Sequence, residues 1–236
     1  MNRAFQAVVA APILAVSLGG PATGGLLEDA ATAYMKGDYV TALRPPLPLG
    51  EEGNADAQGR LLLTDAGAAY RKGDYATALL LVRPLAERGN AHAQARLALL
   101  YDLGQGVPQD DATAMSWYRK AAEQGSPDAQ RSLGNMYRIG RGMPSNNAAA
   151  ASWYRKAAEQ GDARAQNNLG IMYDKGEGVR QDRVTAHMWL NLSASSGFGE
   201  AARNRDIVAQ RMTPAQIDAA QMLAREWNPK STPAPP

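Results

Sequence analysis

The chain has no cysteine, and histidine occurs only twice among its 236 residues. Without cysteine there can be no disulfide bond, no thiolate metal site and no cysteine nucleophile. Two histidines leave little material for a zinc site or a histidine-based catalytic triad. The sequence therefore predicts neither a cofactor nor a metal ion.

The sequence also lacks a large excess of charge of one sign. Lys and Arg total 25 against 23 for Asp and Glu, a formal net charge of +2. A dedicated nucleic-acid-binding protein would show a clustered basic excess, so no nucleic-acid partner is expected. Hydrophobic residues make up 45% of the chain, which suffices for a packed core and argues against disorder throughout.

Long hydrophobic runs are missing except near the N-terminus. There Arg3 and the terminal amine precede an uncharged apolar stretch, and small residues follow at 22–24. This order is typical of a secretory signal peptide, and the stretch is short for a membrane span. We expect cleavage after residue 24, no remaining membrane span and, in a Gram-negative source, a periplasmic protein. An uncleaved anchor that tethers a regulator to the membrane is the alternative.

The main positive feature is an internal repeat of 36 residues, seen in several elements at once. The segment Ser116–Gly125 recurs unchanged at Ser152–Gly161. A Gly-x-Gly loop returns with the same offset at Gly104, Gly140 and Gly176. Because independent elements keep one spacing, chance is not a serious explanation.

Each repeat is predicted to form two helices. Apolar residues of 110–124 and of 127–139 each fall on one helical face, with Asp110 suited to begin the former helix and Gly140 to end the latter. No segment shows sustained period-two alternation, so no sheet is expected. Because one helix pair cannot bury its apolar face alone, the pairs must stack. The predicted fold is all-α: a right-handed α/α superhelix, or solenoid, with a concave inner surface and a C-terminal capping helix.

This pattern divides the chain into five predicted segments. Three prolines at 45, 46 and 48 exclude a regular second helix in the first unit, and Pro84 predicts a kink in the second. Thr213–Gln216 has the form of a capping box that opens a final helix ending near Trp227. The segments are a signal peptide (1–24), degenerate N-terminal repeats (25–88), clear repeats (89–197), a repeat remnant with the capping helix (198–228) and a disordered tail (229–236).

The repeated motifs resemble those of Sel1-like repeats, which are relatives of the tetratricopeptide repeat. The resemblance rests on Ala163–Tyr173 for the first helix, Gly104–Asp110 for the loop and Ala114–Ala122 for the second helix. It is strong over residues 89–197 and weaker over 30–88. It implies an α/α solenoid that acts as an adaptor in protein assembly or signalling. A cysteine-rich branch of the family is associated with β-lactam binding, and this cysteine-free chain departs from that branch.

Several polar groups have simple structural interpretations. His92 and His187 lack a second ligand at helical spacing, so neither supports a metal site. Arg119 and Arg155, each followed by a lysine, lie opposite the apolar stripe of their helices. We expect these basic pairs to be solvated, because Glu123 and its repeat equivalent lie one turn away.

A partner-binding surface is predicted on the first helices of the repeats, which usually line the concave face of a solenoid. The candidate positions vary between repeats while the core positions recur. We expect this surface to bind a protein partner as an extended peptide or a helix. We call these eight positions the first-helix strip: Leu99, Asp102, Arg131, Asn135, Arg138, Asn167, Ile171 and Asp174.

The sequence thus favours a non-enzymatic, exported scaffold for protein–protein interaction in envelope assembly or signalling. The alternative is a cell-wall-related hydrolase or a β-lactam-binding enzyme of the repeat family. Such an enzyme would need a cleft with clustered acids and bases, which the residue inventory does not supply.

Overall fold

The computed structural model of the chain describes residues 52–229. Within that range it contains ten α-helices and no strand, so the predicted all-α repeat architecture is confirmed. The chain divides into two compact units between Arg88 and Gly89. In chain order the helices are α1 (Glu52–Arg71), α2 (Tyr75–Glu87), α3 (Ala91–Leu103), α4 (Asp111–Glu123), α5 (Pro127–Ile139), α6 (Asn147–Glu159), α7 (Ala163–Lys175), α8 (Arg183–Ser195), α9 (Gly199–Ala209) and α10 (Pro214–Glu226).

The described part of the first unit is the helix pair α1 and α2, which contact each other. Asp74 begins α2, and its carboxylate accepts a hydrogen bond from the Thr77 N–H at 3.1 Å. Pro84 lies inside α2, which continues to Glu87. The predictions for the signal peptide, for the three prolines at 45–48 and for residues 230–236 lie outside the described residues.

The second unit contains three helical hairpins of equal size: α3–α4, α5–α6 and α7–α8. Their first helices begin 36 residues apart, at Ala91, Pro127 and Ala163, and all six helices have 13 residues. The second helix of each of the first two hairpins also contacts the first helix of the next hairpin. The sequence period is therefore the period of the stack.

Polar side chains begin these helices, and glycines follow the first helix of every hairpin. Asp110 begins α4 as predicted, and its Oδ1 accepts hydrogen bonds from the N–H groups of Ala112 and Thr113 at 3.0 Å. A cap of this kind stabilises a helix by about 1 kcal/mol. Gly140 ends α5 with a φ of +75°, a conformation that favours glycine because it has no Cβ.

A close approach of the two helices defines the core of the second and third hairpins. Leu133 and Leu169 are fully buried on the first helices, and each contributes about 1.5–3 kcal/mol through its burial. A Cβ atom at Gly134 would lie 2.6 Å from the Tyr154 ring, and one at Gly170 would lie 2.7 Å from Leu190. Both positions therefore require glycine for this packing.

Glutamine side chains join the start of the first helix of a hairpin to the end of its second helix. Gln124 Nε2 donates to Gln94 Oε1 at 2.7 Å, and Gln160 Nε2 donates to Gln130 Oε1 at 2.8 Å. The position after Gln124 and Gln160 in this series is Ser196. Gln166 Oε1 is buried and has no hydrogen-bond partner within the described chain. The amide joint is thus repeated once and is replaced at the third hairpin.

Two further helices close the C-terminal end. Helix α9 packs on α8, and α10 also packs on α8. The predicted capping box at Thr213 is present, and the helix ends before Trp227 as predicted. Trp227 packs edge-on against Trp189, with ring centroids 6.1 Å apart. The C-terminal helix therefore covers the last hairpin.

The residues with which α10 makes this contact are small. Ala220 and Ala224 are buried, whereas Met222 is 54% exposed and Leu223 is 40% exposed. The apolar residues of α10 thus lie on more than one face of the helix. Among the helices described, none is both long and apolar enough to cross a membrane.

Candidate interaction surface

The first-helix strip occupies equivalent positions on α3, α5 and α7, but its residues differ widely in exposure. Arg138 is exposed, Leu99 and Asn135 are half-buried, and Ile171 packs against the core beside α9. Asn167 and Asp174 are buried, with relative exposures of 3% and 9%. The strip is therefore not one uniform exposed surface, because packing between successive first helices covers part of it.

Arg131 is held between two carboxylates. Its Nη2 lies 2.7 Å from Asp128 of the same helix, and its Nε lies 3.2 Å from Asp162, which caps α7. Burial lowers the pKa of Arg131, but the two carboxylates together outweigh burial, so the net shift is upward. Arg131 thus links the second hairpin to the third.

Asp102 takes part in a second link, which the sequence analysis did not find. Arg141, in the loop after α5, lies 2.5 Å from Asp102 and 2.5 Å from Asp111. The hydrogen bond to Asp111 is the main cause that raises the pKa of Arg141. No short-range pattern could reveal this cluster, because Arg141 is 30 residues from Asp111 and 39 from Asp102.

Asn135 and Arg138 both contact the hydroxyl group of Tyr154. This hydroxyl donates to Asn135 Oδ1 at 2.6 Å, and it accepts from Arg138 Nε at 3.4 Å. Burial is the main cause that raises the pKa of Tyr154, and the Arg138 charge opposes it. The ring of Tyr154 lies in the core, and its hydroxyl group reaches the first-helix strip. The tyrosine therefore contacts both the core and the strip.

Asn167 and Asp174 are covered by the C-terminal end of the array. Asn204 of α9 donates to Asn167 Oδ1 at 2.9 Å, and Arg211 lies 2.7 Å from Asp174. The expectation that these two positions face outward is wrong in this structure. The cause is α9 together with the turn that follows it, which contribute Asn204 and Arg211 respectively and cover this side of α7.

Two exposed apolar side chains extend the accessible part of the strip. Leu103 is 49% exposed and Ile139 is 53% exposed. They end α3 and α5 at equivalent repeat positions, and Ile139 follows Arg138 directly. Neither residue belongs to the predicted strip, although their 36-residue spacing is visible in the sequence. The surface that remains open combines Leu99, Leu103, Arg138 and Ile139.

A small cleft adjoins Arg131 at the N-terminal ends of the first helices. Its volume is about 270 Å³, and Asp128, Arg164 and Phe198 line it together with Arg131 and Asp162. Both carboxylates already pair with Arg131. The cleft is thus polar and largely compensated in charge.

The second helices of the hairpins, α4 and α6, carry another repeated arrangement of side chains. Arg119 Nη2 donates to the Tyr137 hydroxyl at 3.2 Å, and Arg155 Nη2 donates to the Tyr173 hydroxyl at 2.8 Å. Lys120 and its repeat equivalent Lys156 each lie about 4 Å above a tryptophan ring. These basic residues were expected to be simple solvated charges. The two arginines also join one hairpin to the next, whereas each lysine contacts a tryptophan of its own helix.

The two histidines lie in different environments. His92 is exposed, whereas His187 is buried in α8 with a relative exposure of 3%. Burial lowers the pKa of His187, the nearby Arg205 lowers it further, and Asp206 opposes these effects. Within residues 52–229 no three acidic or histidine side chains are placed to hold a metal ion.

The three hairpins of the second unit match a known repeat family. The model of the Sel1 repeat matches residues 91–126, 127–162 and 163–198. The crystal structure of a Sel1 repeat protein from Oxalobacter formigenes is 40% identical, with a TM-score of 0.50. The match covers 94% of that chain and 53% of this one. The chain belongs to the Sel1 repeat family.

A longer relative supports the same architecture for this Sel1 repeat protein. It is a protective antigen present in uropathogenic Escherichia coli strains, displaying an SLR fold, and it is 27% identical with a TM-score of 0.52. The match covers 97% of this chain but 53% of the antigen. No curated protein matches the chain. Sel1 repeat proteins generally act as non-catalytic scaffolds for protein–protein interaction.

Proposed function

We propose that this Sel1 repeat protein is an exported scaffold that holds a protein partner against the first helices of its repeats. The observation that carries the proposal is the exposure of Leu103 and Ile139. They occupy the same position in successive repeats, and Ile139 directly follows Arg138. The buried centre of a protein–protein interface is more apolar than the rest of a protein surface, and arginine is enriched in such interfaces. A segment of the partner that lies across α3 and α5 would meet both.

Core residues are the same type in successive repeats, whereas residues of the open surface differ, as expected of a scaffold that recognises one partner. Ala129 and Leu133 have equivalents of identical type in the neighbouring first helices, and all are buried. Position 99 is leucine, whereas its equivalents are Asn135 and Ile171. Packing thus repeats while the accessible chemistry changes, so one arrangement of helices can select one partner.

Photo-crosslinking in the native cell tests this surface. A photoreactive amino acid at Leu103 or Ile139 is expected to capture one partner, and the additional change Arg138→Glu is expected to abolish the capture. Ser152, exposed on α6, is the matched control position and is expected to capture nothing. Equal capture from Ser152, or no capture from α3 and α5, would reject the surface.

Export and a role in envelope assembly or signalling are part of the proposal. The support for export is the order of charge, apolar stretch and small residues in the first 24 residues. N-terminal sequencing of the protein recovered from the periplasm is expected to start after residue 24. An intact N-terminus in a membrane fraction would instead favour the tethered form.

A further inference from the structure

A cleft of the second unit lies where the second helix of the second hairpin meets the third hairpin. It has a volume of about 600 Å³ and lies between Arg155 of α6, Tyr173 of α7 and the loop that leads into α8. Val179, Arg180, Gln181 and Asp182 line it from the loop. A volume in this range admits several side chains of a ligand rather than a single ion.

Several polar groups of this cleft, including its carboxylate, are already engaged within the chain. Asp182 Oδ1 accepts from the N–H groups of Val184 and Thr185, and its Oδ2 accepts from the Thr185 hydroxyl at 2.6 Å. The only carboxylate in the lining is therefore used to begin α8. Gln181 directs its amide N–H to the Asp174 carbonyl at 2.6 Å.

The groups with remaining capacity are cationic donors. Arg155 uses Nη2 for the Tyr173 hydroxyl, and its guanidinium lies 5.9 Å from the Tyr173 ring centroid. Arg180 is exposed, and it makes no hydrogen bond or salt bridge to any residue of the described range, although its charge acts on the nearby Asp182 carboxylate. A guanidinium has five N–H donors, so both arginines have donors left for a ligand.

Arg180 also departs from the repeat pattern. The equivalent loops have Pro108 and Pro144, which fix the backbone, whereas the third loop has an arginine. An arginine–tyrosine pair joins the first hairpin to the second, as Arg119 with Tyr137, and the second to the third, as Arg155 with Tyr173. Arg180 has no such counterpart, so its guanidinium is specific to the third loop, and the loop geometry does not require it.

We propose that this cleft binds the carboxylate side chains of an acidic segment in the protein partner. This inference rests on the proposed scaffold function and adds the chemistry of a second contact. Arg180 and Arg155 supply charge-assisted hydrogen bonds, which suit the planar, two-oxygen geometry of a carboxylate. Val179 and the Tyr173 ring supply apolar contact for the methylene groups of glutamate.

Binding of a defined peptide to the full chain tests the cleft. The probe is N-acetylated, C-terminally amidated hexaglutamate, and hexaglutamine with the same ends is the neutral control. Calorimetric titration is expected to show binding of hexaglutamate that weakens with added salt, and no binding of hexaglutamine. Failure of hexaglutamate to bind overturns the inference.

Two arginine variants locate the binding. Arg180→Pro, which restores the residue of the other two loops, is expected to weaken hexaglutamate binding about tenfold or more. Arg119→Gln removes the same charge from the preceding hairpin and is expected to leave the affinity unchanged. Equal affinity in all three proteins would show diffuse charge attraction and would overturn the inference.

Further measurements separate the remaining explanations. Arg180→Gln replaces Arg180→Pro if the circular dichroism spectrum shows that the proline variant does not fold. Binding of inorganic phosphate but not of hexaglutamate, lost in the Arg180 variant, would contradict the carboxylate assignment. Crosslinking through Ile139 does not depend on Arg180, so a failed cleft with intact crosslinking refutes this inference alone.

Discussion

The second repeat (residues 127–162) and the third repeat (residues 163–198) share one backbone and use it differently. The loop between the two helices begins in both repeats with a glycine in the left-handed conformation. At the end of the loop the backbone N–H groups of Asn146 and Asp182 donate to the carbonyl of the tyrosine in the preceding helix, at 2.8 and 2.9 Å. In the second repeat the loop arginine, Arg141, turns back to bind two carboxylates. In the third, Arg180 faces solvent. The repeated backbone thus places the two loops at equivalent positions. The loop side chains differ, so one arginine binds neighbouring carboxylates of the stack whereas the other remains accessible to a ligand.

The glycines of these loops give the largest predicted difference. A Cβ atom at Gly178 would overlap the backbone carbonyl of Asn147, whereas one at Gly142 would lie 3.3 Å from the Asp111 Cβ. Both glycines have positive φ, which costs an alanine about 1–2 kcal/mol. We expect Gly178→Ala to lose about 3 kcal/mol or more, roughly 6–12 °C in thermal midpoint, and Gly142→Ala to lose only the φ cost. Equal midpoints in circular dichroism melts would contradict the close approach.

The loop charges give a smaller effect. Arg141 contacts Asp102 and Asp111 with about a quarter of its side chain exposed, whereas Glu177, its equivalent, lies 3.9 Å from the exposed Lys175. We expect Arg141→Gln to destabilise the protein by about 1–2 kcal/mol, because a partly buried carboxylate loses its partner. Glu177→Gln should change stability by less than about 0.5 kcal/mol. Urea unfolding of both variants measures this, and the difference should shrink in high salt. A Glu177 effect as large as that of Arg141 would remove the contrast.

The smallest predicted effect concerns His187, which stands where the second repeat has Ala151. Its folded pKa is lowered by burial and by Arg205. As the pH falls below the ordinary histidine value of about 6.5, the unfolded chain takes up a proton first, so stability decreases. We expect His187→Met, which carries the residue of Met115, to show a flatter fall in thermal midpoint between pH 7.5 and 5.5.

The exposed histidine provides the control for this pH dependence. His92→Gln should retain the profile of the unaltered chain, because His92 is exposed on α3. A profile for His187→Met as steep as that of the unaltered chain would mean that other groups cause the acid sensitivity.

The sequence was sufficient for features that depend on neighbouring residues or on exact repetition. The helix starts at Asp110 and Thr213 were predictable, because a cap and the helix it begins are adjacent in the chain. The hairpin boundaries followed from the 36-residue spacing, as did buried positions such as Leu133.

Features that depend on contacts between repeats were not predictable. Asn167 and Asp174 are buried because Asn204 and Arg211 reach them from about one repeat away, in a segment whose pattern had decayed. The sequence of α10 contains both alanines and larger apolar residues, and its packing on α8 buries Ala220 and Ala224. Composition and period do not encode which side of such a helix is covered.

The glutamine pairs belong to single hairpins, so the hairpin is a unit that carries its own amide contact. Because Gln124 meets Gln94 in the same way that Gln160 meets Gln130, a block of 36 residues that is copied or removed takes this bond with it. In the third hairpin Ser196 stands at the position of the second glutamine, and Gln166 Oε1 has no hydrogen-bond partner within the described chain. A copy of either of the first two hairpins would therefore keep this bond, whereas a copy of the third would lack it.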